Sequence, residues 1–140
     1  MPEAAADTTE TGSITAISLP FACSLHAHNL GAGWVEATGE LDLATAPQLR
    51  QTLREARESF PLVVLDLREL AFMDGSGVHV IVDAAGEAKR EGGWLLVVHG
   101  SAQIERLFTL TEAHTHVLVL DLKAPVSGPA LRLAPPSAEA

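Results

Sequence analysis

The segment Leu62-Val63-Val64-Leu65-Asp66-Leu67 shows no apolar–polar alternation. A strand with one wet face alternates; a nearly continuous apolar run rich in β-branched residues marks a strand covered on both faces. Such strands belong almost only to parallel sheets, whose crossover connections are helical. The flanking segments agree with that demand. Asp42 to Ser59 reads as a helix, with Leu49, Leu53 and Ala56 as its apolar stripe and Pro47 in the first turn, where a missing N–H costs nothing. Val78, Ile81, Val82, Ala85 and Ala88 lie on one face of a second helix, ended by Gly92-Gly93. Trp94 to Val98 is another buried strand. Ser101 to Leu110 is a short helix that Ser101 can cap, with Ile104, Leu107 and Phe108 facing inward. Val117 to Leu120 closes the series as a strand.

Two strands precede this alternation, Phe21 to His28 and Trp34 to Thr38, around a Gly31-Ala32-Gly33 turn. The order is β-β-α-β-α-β-α-β. Helices between strands imply a largely parallel sheet, and the leading hairpin adds antiparallel pairing, so the fold class is α/β with a mixed sheet. A length of 140 residues suits one domain. Residues 1–13 read as a flexible lead, 14–123 as the domain and 124–140, rich in Pro, Ala and Ser, as a flexible tail.

Charge narrows the function classes. The formal net charge is −9, and the nine basic residues are scattered along the chain. Such a surface repels polyanions, which argues against direct binding of nucleic acid or an anionic membrane. No apolar run approaches the roughly 18–20 residues that span a bilayer. The small, acidic N-terminal stretch has neither the basic start nor the apolar run of a signal peptide. A lone cysteine, Cys23, permits no internal disulfide. The expectation is a cytoplasmic protein.

The segment that invites chemistry is Phe72-Met73-Asp74-Gly75-Ser76-Gly77-Val78, which follows the buried strand and opens the second helix. Loops after the carboxyl ends of strands are the usual functional sites of α/β sheets. A helix start exposes unpaired N–H groups with partial positive charge, and two glycines allow close backbone approach. A modified serine or a bound anion suits such a place, whereas the structural alternative is that Asp74 or Ser76 simply caps the helix. Asp42, at a strand-to-helix turn, has the same alternative. Phe72 and Met73 read as core residues; exposure would turn them into an apolar docking patch.

Catalytic readings find little support. Asp42 and Asp74 lack an accompanying oxyanion site or activated nucleophile. His26 with His28, and His114 with His116, have no third ligand at metal-binding spacing. His79, three residues beyond Ser76 at a helix start, is poorly placed as its base. Neither Gly-x-Ser-x-Gly nor a nucleotide-binding glycine loop is present. No cofactor or metal is expected, and the chain reads as a non-catalytic module.

Phe72 to Val78, with Gly39-Glu40-Leu41-Asp42, Thr45-Ala46, Gly92-Gly93 and Ile104-Glu105-Arg106-Leu107-Phe108 in the same order, resembles the anti-sigma-factor antagonist branch of the STAS domain family. The match runs from about Phe21 to Leu120. The resemblance implies a STAS-like mixed sheet and a cytoplasmic partner-switching module. Its partner would be an anti-sigma factor that is also a serine kinase of the histidine-kinase-like ATPase type; the unphosphorylated antagonist binds it and frees a sigma factor, and a phosphatase resets the switch. The docking surface implied here comprises Asp42, Thr45, Asp74, Gly75, Ser76, Gly77, Val78, His79 and Asp83. One position departs from the pattern: the modified serine of the family directly follows the aspartate, where this chain has Gly75. Three readings stay open. Ser76 has taken over as acceptor, the domain is permanently binding-competent, or the partner system is different; the alternative function is a non-phosphorylated STAS scaffold or oligomer subunit in a signalling complex.

Overall fold

The structure is a computed structural model that describes residues 19–28 and 31–120. The lead at 1–13 and the tail at 124–140 lie outside the described residues. Among the described residues, six strands and three α-helices follow in the order β1 (Ala22–Ala27), β2 (Gly33–Leu41), α1 (Ala46–Ser59), β3 (Leu62–Asp66), β4 (Leu70–Met73), α2 (Gly75–Arg90), β5 (Trp94–Val98), α3 (Ala102–Leu110) and β6 (Leu118–Leu120), with one 3-10 turn at Ala113–Thr115. The sheet runs β1-β2-β3-β5-β6, and β4 pairs separately with β2. Only β1 and β2 are antiparallel among these pairs. The mixed α/β sheet expected from the sequence is present.

Burial explains why β3 carries no alternation. Val63 and Leu65 face the helices, where they meet Val35, Ala37, Leu41, Leu95 and Val97 of neighbouring strands. Leu49, Leu53 and Ala56 of α1, and Ile81, Ala84 and Ala88 of α2, complete that core. Val64 turns to the other face, into a smaller cluster with Trp34 and Val98. There Asp66, 2% exposed, accepts a hydrogen bond from Trp34 Nε1 at 3.3 Å and is clasped by the Arg68 guanidinium at 2.8 and 2.9 Å. A buried carboxylate of this kind is tolerated because every oxygen is engaged. On the helical side, Arg57 binds Glu87 at 2.7 Å and Glu91 at 3.3 Å, and Arg50 reaches Asp83 at 3.5 Å, lacing α1 to α2.

Three boundaries differ from the sequence reading. The strand expected at Trp34 to Thr38 continues to Leu41, passing through Gly39 at φ 85°. A side chain at Gly39 would collide with the Pro20 carbonyl, so the glycine serves both a left-handed backbone and a close approach. From Gly39 to Leu41 β2 takes β4 as its neighbour, with a register shift between Gly39 and Glu40. Strand β4 itself was not anticipated. Helix α1 starts at Ala46 rather than Asp42, because Asp42 to Thr45 form a separate turn.

Candidate functional site

Strands β2 and β4 are parallel, so their carboxyl ends emerge together on one edge of the sheet. The Asp74 N–H donates to the Leu41 carbonyl at 3.2 Å, which sets the Asp42 turn beside the Asp74 loop. The sequence brought these two segments together only through resemblance; the backbone pairing is the physical reason.

Asp74 is the N-cap of α2. Its backbone is extended (φ −113°, ψ −172°), and its Oδ1 accepts the Ser76 N–H at 2.8 Å. Its carbonyl accepts the Gly77 N–H at 3.1 Å and the Val78 N–H at 3.3 Å. Asp74 thereby satisfies two helix-start donors that would otherwise be unpaired, those of Ser76 and Gly77, while the Val78 N–H makes the first regular helix bond. The Ser76 hydroxyl, by contrast, makes no hydrogen bond within the described residues, and its side chain is half-exposed. Gly75 is exposed, and a β-carbon there would meet nothing within 4 Å. Gly77 is buried, with Met73 Cγ and the Leu41 side chain directly against it.

Asp42 has a matching internal role. Its Oδ1 accepts N–H groups from Ala44 at 3.0 Å and Thr45 at 3.1 Å, and its own N–H donates to Thr45 Oγ1 at 2.9 Å. The Thr45 hydroxyl lies within 3.1 Å of the Glu40 carbonyl, to which it can donate. The turn from Asp42 to Thr45 is therefore locked at both ends. Both carboxylates, Asp42 and Asp74, are spent on backbone N–H groups, and neither makes an ion pair among the described residues.

Of the nine residues expected at a docking surface, the structure places Asp42, Thr45, Asp74, Gly75, Ser76, His79 and Asp83 at least partly open to solvent. Ser76, His79 and Asp83 follow at intervals of three and four, so they line one face of α2. His79 Nε2 lies 3.3 Å from the Asp83 carboxylate. Gly77 and Val78 sit in the core instead, Val78 at 6% exposure. Val78 begins the apolar stripe of α2, which is why its side chain turns inward. Met73 is also buried, but Phe72 is 41% exposed.

A further residue went unnoticed in the sequence. Leu43, at the tip of the Asp42 turn, is 77% exposed, the most exposed large apolar residue among those described. Its signal was an apolar residue in a tight strand-to-helix turn, where polar residues are the rule.

Two shallow hollows lie at the opposite end of the helices. They are lined by Arg54, Arg57, Glu58, Glu87 and Glu91, and by Ser59, Phe60, Pro61, Ala88 and Gly93, with none of Asp42, Asp74 or His79. Among the described residues no three His, Cys, Asp or Glu side chains converge to hold a metal ion, and no helix is long and apolar enough to cross a membrane.

Fold and edge together define a class: a mixed α/β domain, its helices on one sheet face, that presents a capped helix start and a locked turn side by side. The chain belongs to the STAS domain family, whose model matches residues 27–126. Over 77 residues it is 32% identical to the anti-sigma-B factor antagonist of Bacillus subtilis (strain 168), an overlap covering 55% of this chain and 71% of that protein. It is 33% identical over 86 residues to the anti-sigma F factor antagonist of Paenibacillus polymyxa, covering 60% and 74% respectively. Among solved structures, an anti-sigma factor antagonist from Mycobacterium paratuberculosis shares the fold with a TM-score of 0.68 at 24% identity, over 76% of this chain and 92% of that one.

Proposed function

We propose that this protein is an anti-sigma factor antagonist: it binds an anti-sigma factor in the cytoplasm and thereby releases a sigma factor, without catalysing a reaction itself. The partner is an anti-sigma factor of the histidine-kinase-like ATPase type, and the docking edge is formed by Asp42, Thr45, Asp74, Gly75, Ser76, His79 and Asp83. Gly77 and Val78 support this edge from beneath. The observation that carries the reading is the state of Ser76: its N–H is fixed by Asp74 at 2.8 Å while its hydroxyl is unengaged and reachable at a rigid helix start.

Ser76 is the phosphorylation candidate, reversed by a phosphatase. A phosphoserine carries about −1.5 to −2 charges at neutral pH. The chain already bears a net charge of −9, so the added charge strengthens repulsion from any acidic neighbour and must be desolvated on docking. A hundredfold loss of affinity requires only about 2.8 kcal/mol. The test is calorimetric titration with a purified ATPase-type anti-sigma factor from the same organism, with ADP and with ATP. Binding at a 1:1 ratio is expected; absence of binding to every such protein of that organism contradicts the proposal.

Gly75 favours a second reading, a STAS scaffold or oligomer subunit that is never phosphorylated. Neither space nor backbone demands glycine at this position, since a β-carbon there meets no atom within 4 Å and φ is not left-handed. Intact mass after incubation with the kinase and ATP separates the two. A gain of one phosphate that disappears in Ser76→Ala supports regulation at Ser76; no gain supports the scaffold.

A further inference from the structure

Seven large apolar side chains are exposed among the described residues: Leu19, Leu25, Leu43, Phe72, Trp94, Leu110 and Leu118. Two of them flank the docking edge. Phe72 lies two residues before Asp74, and Leu43 lies two residues after Leu41, whose carbonyl accepts the Asp74 N–H. Scattered single exposures need no explanation; this pair borders one loop.

Leu43 has a second unusual property. Its turn is fixed by the hydrogen bonds between Asp42 and Thr45 at 2.9 and 3.1 Å and by the Ala44 N–H to Asp42 at 3.0 Å. The side chain is thus held outward on a stiff pedestal, so little backbone entropy is lost when a partner closes over it. It contributes almost nothing to the core, being 77% exposed. The surrounding charge is negative and uncompensated: Asp42 and Asp74 point their carboxylates into N–H groups but meet no cation among the described residues.

We propose that Leu43 is the apolar anchor of the partner interface and a determinant of which anti-sigma factor is chosen. The occupant of this surface is an anti-sigma factor with an apolar pocket for Leu43 whose mouth carries lysine or arginine, matching the two carboxylates. Leucine fits the role because an apolar anchor seated in a pocket gains from burial, while each carboxylate is hydrogen-bonded through Oδ1 only and keeps its charge for a basic rim. This inference rests on the function proposed above and deepens it.

The test uses the full chain and the purified anti-sigma factor that binds the unsubstituted protein. Leu43→Gln is expected to lower affinity tenfold to a hundredfold, the range that burial of one leucine supports. Its melting temperature stays within about a degree of the parent, since no core contact is lost. Leu43→Met retains binding within a few-fold. Leu110→Gln, an equally apolar and exposed position at the end of α3 (69% exposed), leaves affinity unchanged. If the parent protein binds and Leu43→Gln binds equally well, the anchor is overturned while the antagonist function stands. An equal loss in Leu110→Gln also overturns it, by showing general stickiness. If the parent binds no anti-sigma factor at all, both the function and the anchor fall.

Discussion

Gly77→Ala places a single methyl group under the docking edge, and its consequence follows from three distances. The new carbon would stand 2.6 Å from Met73 Cγ, 2.8 Å from Leu41 Cδ2 and 2.9 Å from Leu41 Cγ. Comfortable carbon–carbon contact begins near about 3.5 Å. The overlap therefore involves two buried side chains on two different strands, Leu41 at 0% and Met73 at 6% exposure. Overpacking of this kind costs about 1–3 kcal/mol. Alanine offsets at most about 1 kcal/mol through its better helix propensity. The net destabilisation should be about 1–2 kcal/mol, which for a domain of this size lowers the melting temperature by roughly 4–9 °C. Thermal unfolding followed by far-ultraviolet circular dichroism measures it. Gly75→Ala supplies the internal comparison, since its β-carbon meets nothing within 4 Å and the residue already has helical backbone. There, stabilisation of about 0.4–1 kcal/mol is expected from the stiffer unfolded chain. A Gly77→Ala protein that melts at or above the parent temperature, or a Gly75→Ala protein that falls as far, refutes this packing account of the two glycines.

Asp74→Ala removes the Ser76 N–H cap and should cost about 0.5–2 kcal/mol in urea unfolding, with Asp74→Asn recovering most of it. Glu87 is subject to partial burial, which pushes its carboxyl up, but the Arg54 and Arg57 guanidiniums outweigh this and hold it below its ordinary value of 4.5. A depressed folded-state pKa contributes stability that is complete above the unfolded value and is lost as pH falls through the lower folded one. Glu87→Gln should accordingly be less stable than the parent at pH 7 and converge with it in strongly acidic solution, as read from urea midpoints against pH. Burial raises the Cys23 thiol pKa, with the Thr52 hydroxyl at 3.0 Å pulling it back and Glu55 adding to the rise. Titration with a disulfide reagent at pH 7.5 should therefore show slow modification of Cys23 in the folded protein and fast modification in urea.

What the sequence disclosed depended on how much of each element's stability is local. The run at Leu62 to Leu67 and the stripes at Leu49-Leu53-Ala56 and Val78-Ile81 each bury a regular set of residues, so periodicity exposed them. Strand β4 buries only Leu70 and Met73 of its four residues and leaves Ala71 and Phe72 outside. No period can be seen in four residues of that kind; the strand exists because β2 continues past Gly39 and offers it an edge. Gly39 misled in the same way, since a glycine normally suggests the end of a strand and here makes a register shift within one. Asp42 looked like a helix-start residue and does satisfy backbone groups, but those of the preceding turn, which displaced the start of α1 by four residues. At the site, Val78 was counted both in the apolar stripe and on the docking face. The first assignment describes its burial, and the periodicity alone contained that answer.

The same accounting bears on how a charge at Ser76 would act. The N–H groups of Ser76, Gly77 and Val78 are already taken by the side chain and carbonyl of Asp74. A phosphate on the Ser76 hydroxyl would therefore find those donors occupied and a carboxylate as its neighbour. Like charges at this separation repel, and the phosphate is directed away from the domain, toward whatever docks there. Among the described residues the Gly75 N–H is the one donor of this helix start without a hydrogen bond, so at most one backbone donor is left for the new group. Phosphorylation at Ser76, as proposed above, would then act through the electrostatics of the interface, with the backbone of both turns held as it is in the unmodified protein.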